Sequence, residues 1–133
     1  MSNSALVLFA HGSRDPAWAG PFKVVQQRVA GKNPEVTAEL AFLEIMKPTL
    51  PEAIDALVQS GHRRITIAPL FMAQGAHLKR DLANLLAGIR ARHAEIELIL
   101  LPPLGEADPV IDAISAWLAE HASSSPTEME SRA

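Results

Sequence analysis

The chain has 133 residues, 48% of them apolar and 20% charged, with no cysteine and a formal net charge of −3. That length is one domain's worth and can bury roughly two-thirds of its unfolded surface, so a disordered chain and a fold dependent on metal or disulfide staples are both excluded. The absence of cysteine removes thiolate metal sites and cysteine nucleophiles, and the acidic balance argues against a general nucleic-acid binder.

Apolar runs alternate with helical periodicity four times. Ala5–Ala10 is apolar at every position, as a strand covered on both faces would be. Asp15 and Pro16 read as an N-cap and first helical residue, with Trp18, Phe22, Val25 and Val29 as the apolar stripe and Gly31 as the stop. Val36–Leu43 is a second strand, less uniformly apolar and so expected nearer an edge. Thr49-Leu50-Pro51-Glu52 has the spacing of a capping box. Behind it, Leu50, Ala53, Ile54, Leu57 and Val58 form a helix face that Gly61 ends. Ile65–Phe71 is the third strand, Leu78, Leu82, Leu85, Leu86 and Ile89 mark the third helix, and Glu97–Leu101 is the fourth strand. Asp108 and Pro109 open a last helix, with Ile111, Ile114, Trp117 and Leu118 expected to face inward. The polar stretch 123–133 reads as a disordered tail, leaving residues 1–122 as one domain. Strands separated by helices, none joined by a tight hairpin, predict a three-layer α/β sandwich: a four-stranded parallel sheet flanked by helices. Nothing in the sequence has the length of a membrane helix or the layout of a signal peptide, so a cytoplasmic location without membrane contact is expected.

In open parallel sheets, ligands bind beyond the carboxyl ends of the strands. Three potential metal ligands fall in those positions: His11, Glu44 and His77. Each is one βα unit from the next, so the spacing returns all three to one edge of the sheet. Two imidazoles and a carboxylate suit Co²⁺, Fe²⁺, Ni²⁺ or Zn²⁺ and leave coordination positions open. His62, His93 and His121 sit on the opposite edge or at helix C-termini and receive no role. Lys79 and Arg80 occupy the opening turn of the third helix, where cations oppose the helix dipole unless an anion binds. Arg14 and Lys47 lie on neighbouring loops and extend the cationic rim. Ser13 lacks a nucleophile-elbow motif, and there is neither a Walker A sequence nor a dinucleotide fingerprint, so no organic cofactor is indicated.

The segments LVLFAHGSRD (6–15), AFLE (41–44) and IAPLFMAQGAHLKRD (67–81) resemble the short form of the sirohydrochlorin chelatases, class II cobalt- or ferrochelatases of cobalamin and sirohaem biosynthesis. The resemblance runs from about Ala5 to His121. It implies a chelatase-like fold and the insertion of Co²⁺ or Fe²⁺, a substrate metal, into the tetrapyrrole sirohydrochlorin. It also implies metal binding by His11 and His77 with Glu44 beside them, one of the three accepting pyrrole protons. Contacts to the carboxylate-rich macrocycle fall to Ser13, Arg14, Gly75, Lys79 and Arg80, with an apolar wall from Phe71, Met72, Leu104 or Met46. By the same resemblance the chain pairs as a homodimer. Two other readings compete. One is a metal- or tetrapyrrole-binding carrier without catalysis. The other is a phosphoryl-transfer enzyme built on His11, which would want an arginine closer to that histidine than Arg14.

Overall fold

A computed structural model describes residues 3–123, so the expected tail beyond Ser123 lies outside the described residues. Four strands form one parallel sheet: β1 (Ser4–Ala10), β2 (Thr37–Phe42), β3 (Arg64–Pro69) and β4 (Glu97–Leu100), in the order β2-β1-β3-β4. Between and after them run α1 (Gly20–Lys32), α2 (Leu50–Gln59), α3 (Ala76–Arg92) and α4 (Asp108–His121). The register places Val7 beside Glu39 on β2 and Ile67 on β3, with β1 hydrogen-bonded on both edges. This explains why β1 is apolar throughout while β2, an edge strand, is not.

Alternate residues of the strands feed two separate cores. Val7, Phe9, Ala41, Ile65 and Ile67 face α2 and α3, where Leu50, Ile54, Leu57, Leu82, Leu86 and Ile89 complete the larger cluster. Leu8, Ala10, Leu40 and Phe42 face the other way, toward Ala19, Trp18 and Phe22 at the start of α1. Burying each large side chain such as Phe9, Ile54 or Ile67 stabilises the fold by roughly 1.5–3 kcal/mol. No polar or charged residue among those described is buried, so all the polar chemistry lies at the surface.

Local signals form as the sequence predicts at most helix starts. Thr49 and Glu52 make the reciprocal capping box, with Thr49 N–H donating to Glu52 at 2.9 Å and Glu52 N–H to Thr49 Oγ1 at 3.4 Å. Asp15 Oδ1 accepts from Ala17 N–H at 3.0 Å, but the turn it opens, Pro16–Ala19, is a 3₁₀ segment that passes into α1 only at Gly20.

Two expected apolar faces are corrected. Val25 of α1 is exposed, because the smaller core is reached from Trp18 in the turn before α1 and from Phe22 at its start. On α4, Ile111, Trp117 and Leu118 are exposed rather than inward, and no residue of this helix is buried. The helix packs mainly on the short turn before it, Leu104–Glu106, rather than on the sheet, which leaves its apolar side uncovered. No helix among the described residues is long and apolar enough to cross a membrane.

Candidate active site

The chain leaves β1 toward its neighbour β2, and leaves β3 in the opposite direction toward β4. The reversal opens a crevice between the carboxyl ends of β1 and β3, the position where such sheets bind ligands. His11 is the first residue after β1, and Phe71 to Gly75 follow β3.

His11 and Glu44 meet in that region. His11 Nε2 lies 2.9 Å from Glu44 Oε1, with both side chains about half exposed (52% and 57%). A carboxylate only accepts hydrogen bonds, so the ring carries its hydrogen on Nε2, and in a neutral ring the other nitrogen, Nδ1, keeps its lone pair. The pair is set by the backbone. Leu43 N–H donates to Ala10 O at 2.9 Å and Glu44 N–H to His11 O at 3.1 Å, carrying the β1–β2 ladder two residues past the strands. On its other side His11 stands edge-on to the Phe71 ring, with centroids 6.4 Å apart. Phe71 is itself anchored edge-on against Phe9 in the core at 5.7 Å.

The remaining expected residues are distributed around this pair. His77 sits in the first turn of α3, exposed, with Gly75 as its N-cap. No group of three or more histidine, aspartate or glutamate side chains among the described residues is assembled as a cation site, so of the expected trio the structure joins His11 and Glu44. Ser13 Oγ accepts from Asp15 N–H at 3.1 Å, the hydrogen-bonded turn role rather than a nucleophile's. Arg14, Lys79 and Arg80 are exposed. Lys79 lines a groove of about 450 Å³ between α3 and the segment after β4, together with Leu82, Leu86, Leu101 and Pro103. Lys47 does not join the rim: its ammonium lies 3.2 Å from Glu52 Oε2, held by the carboxylate that caps α2. Of the proposed apolar wall, Met72 is exposed (56%), Met46 packs into the smaller core and Phe71 is buried behind His11. A larger cavity, about 530 Å³, lies at the opposite end of the sheet beside His62. Both His62 ring nitrogens are engaged there, by Leu57 O and by Thr37 Oγ1, which makes that histidine a clasp.

Sequence reasoning missed three backbone features of the site. Gly12 has φ +102° and lies against the Glu44 carbonyl, Gly105 lies against the Met72 carbonyl, and Ile45 has φ +71°. A glycine two residues past an apolar strand is the signal that could have found the first of these.

An open parallel sheet with a histidine–carboxylate pair beyond its strand ends places the chain in the α/β class. The chain belongs to the CbiX family, whose model matches residues 5–121. A relative from Methanococcus aeolicus, named sirohydrochlorin cobaltochelatase, is 30% identical over 134 aligned residues, covering 83% of this chain and 94% of that protein. Among solved structures, a CbiX protein named for cobalamin (vitamin B12) biosynthesis, from Marinobacter aquaeolei VT8, superposes with a TM-score of 0.79. It is 26% identical, and the match covers 92% of this chain and 99% of that one. The sirohydrochlorin chelatase SirB of Bacillus subtilis subspecies spizizenii, solved in complex with cobalt, gives 0.69 at 25% identity. That match covers 90% of this chain but 51% of SirB. A SirB structure from Bacillus subtilis with Fe³⁺, 22% identical with a TM-score of 0.75, shares the fold over 95% of this chain and 49% of SirB.

Proposed function

We propose that this chain is a sirohydrochlorin chelatase that inserts Co²⁺ or Fe²⁺ into the macrocycle, with His11 and His77 handling the metal and Glu44 accepting protons. The single observation that carries the reading is the His11–Glu44 pair, 2.9 Å apart at the switch point of a CbiX-family sheet. Insertion of a dication releases two pyrrole protons: each N–H bond breaks, its electron pair stays on the nitrogen that then binds the metal, and its proton passes to a base that sheds it to water before taking the next. A carboxylate hydrogen-bonded to a metal-handling imidazole supplies that base beside the metal's point of entry. The absence of thiolates suits the task, since a site that must release its metal to four ring nitrogens is better made of imidazole and carboxylate than of sulfur. Arg14, Lys79 and Arg80 would meet the substrate's carboxylates, Ser13 and Gly75 would shape the loops that receive it, and Met72 would lie against its flat face.

We also read the working unit as a homodimer, supported by the exposed apolar face of α4 and by SirB chains about twice as long as the match. One folded domain over residues 1–122 and a cytoplasmic location belong to the same reading.

The test is spectroscopic metallation of sirohydrochlorin with Co²⁺ and Fe²⁺. The wild type should accelerate insertion over the uncatalysed rate, and His11→Ala and His77→Ala should each lose about 10- to 100-fold or more. Wild-type turnover in both variants sinks the assignment. Stoichiometric binding without rate acceleration would make the chain a carrier instead.

A further inference from the structure

The pairing of Glu44 with His11 depends on how closely two loop backbones approach. Gly12 adopts φ +102°, a conformation that side-chain-bearing residues rarely take. A Cβ at this position would overlap the Glu44 carbonyl oxygen and lie 3.1 Å from its carbonyl carbon. The same carbonyl accepts a 2.7 Å hydrogen bond from Met46 N–H, closing a γ-turn with Ile45 at its centre. A β-branched residue at φ +71° is strained, and the turn is kept only because its surroundings fix it. Two bonds supply that fixation: Glu44 N–H to His11 O before the turn, and Phe42 N–H to Pro48 O (2.9 Å) where the loop returns to the sheet. Glu44 is thus held at its amide by His11, at its carbonyl by Met46 and the bare Cα of Gly12, and at its carboxylate by the His11 ring.

We infer that Gly12 is a positioning residue for metal transfer: its missing side chain lets the loop after β2 lie flat on the loop after β1, and this contact keeps the Glu44 carboxylate on His11. The inference rests on the chelatase reading above. Gly12 touches neither metal nor macrocycle and acts only through Glu44. A displacement of about 1 Å at a proton-accepting carboxylate is enough to cost on the order of 100-fold in rate.

The experiment is a double-mutant cycle of Gly12→Ala and Glu44→Ala in the full chain. It is read by kcat and KM for metallation and by Co²⁺ affinity in calorimetry. In the wild-type background, Gly12→Ala should lower kcat about 10- to 100-fold with KM for the tetrapyrrole changed less than about twofold. In the Glu44→Ala background the same substitution should cost nothing further. An equal loss in both backgrounds overturns the inference, because Gly12 would then act on something other than Glu44.

If Gly12→Ala does not fold, Ile45→Gly takes its place in the cycle. It relieves the strained φ, so it should be at least as stable as the wild type while loosening Glu44, again with no further loss once Glu44 is removed. Ile45→Asn, which tolerates the positive φ and preserves the turn, should recover most of the kcat that Ile45→Gly loses. Full kcat in Ile45→Gly, or no recovery in Ile45→Asn, overturns the inference. A wild-type protein that fails to metallate at all instead sinks the chelatase reading. The Co²⁺ affinities then still report whether Gly12 and Glu44 are coupled.

Discussion

On the proposed chelatase reading, Glu44 and His11 would divide the work of metal insertion by what each atom can hold. A carboxylate accepts a proton and gives an imidazole something to lean on, whereas the imidazole nitrogen not bonded to it remains available to a cation. Glu44→Gln separates the two tasks. The amide oxygen still accepts from His11 Nε2–H, so the ring keeps its orientation, but the amide takes no proton. The expected result is a kcat lowered about 100-fold, with Co²⁺ affinity changed much less. Steady-state metallation alongside calorimetry checks it, and a Gln variant with kcat near the wild type removes Glu44 as the proton acceptor. The placement of His11, Glu44 and His77 beyond the strand ends was legible in the sequence, because counting one βα unit between them needs only those ends, and the structure joins the first two of them. What was not legible depends on loop conformation. Lys47 looks like a rim cation in sequence, yet its ammonium lies against Glu52, and the approach of Gly12 to Glu44 appears only in three dimensions.

Elements were legible where a signal is local and hard to locate where it depends on a neighbour. The Thr49–Glu52 capping box lies within four residues and forms as read. The β3 strand ends at Pro69 rather than Phe71, as a residue without an N–H ends a ladder, and Phe71 turns instead toward His11. His93 was assigned only to the dipole of its helix, yet it joins two helices. Asp55 of α2 accepts from Arg92 at 2.5 Å and from His93 Nε2 at 2.7 Å, both at the C-terminal end of α3, with Glu95 facing His93 Nδ1 at 3.7 Å. The His93 hydrogen bond, with Arg92 behind it, holds the Asp55 carboxyl below its ordinary value. A lowered carboxyl stabilises the fold above its unfolded-state value near 3.8, and the contribution is lost as pH falls through the lower folded value. Asp55 is half exposed, so solvent screening limits the effect to about 0.2–1 kcal/mol. Urea unfolding should therefore find Asp55→Asn less stable than the wild type by that amount at neutral pH. The gap should close as pH falls below about 3.8. A gap that is constant with pH would mean that the clasp works without the charge of Asp55.

For the whole molecule, the misplaced expectation about α4 is the informative one. Its periodicity correctly marks an apolar face, but periodicity does not say whose surface covers that face. In the chain by itself Trp117 is 64% exposed and Leu118 57%, with Ile111 exposed one to two turns earlier. Large apolar side chains grouped on one helix and left in water mark an interaction surface. On the proposed homodimer reading a second copy of this chain is the occupant, which suits a SirB chain of which the match covers 51%. A two-fold pair of identical chains would use the same face of α4 on both partners and leave no surface for further growth. Replacing Trp117 and Leu118 together with glutamate should then give a folded monomer. None of α4 is buried, so the two cores lose nothing, and the change removes only what the partner would cover. Sedimentation equilibrium should find the wild type dimeric and this variant monomeric, with circular dichroism unchanged. Metallation connects the assembly to the site. If the macrocycle sits between two copies, the specific activity of the wild type should fall on dilution below the dimer dissociation constant, and the variant should lack activity at every concentration. A variant that remains dimeric places the interface elsewhere on the surface. A monomeric variant with full activity makes each chain's His11–Glu44 site complete without its partner.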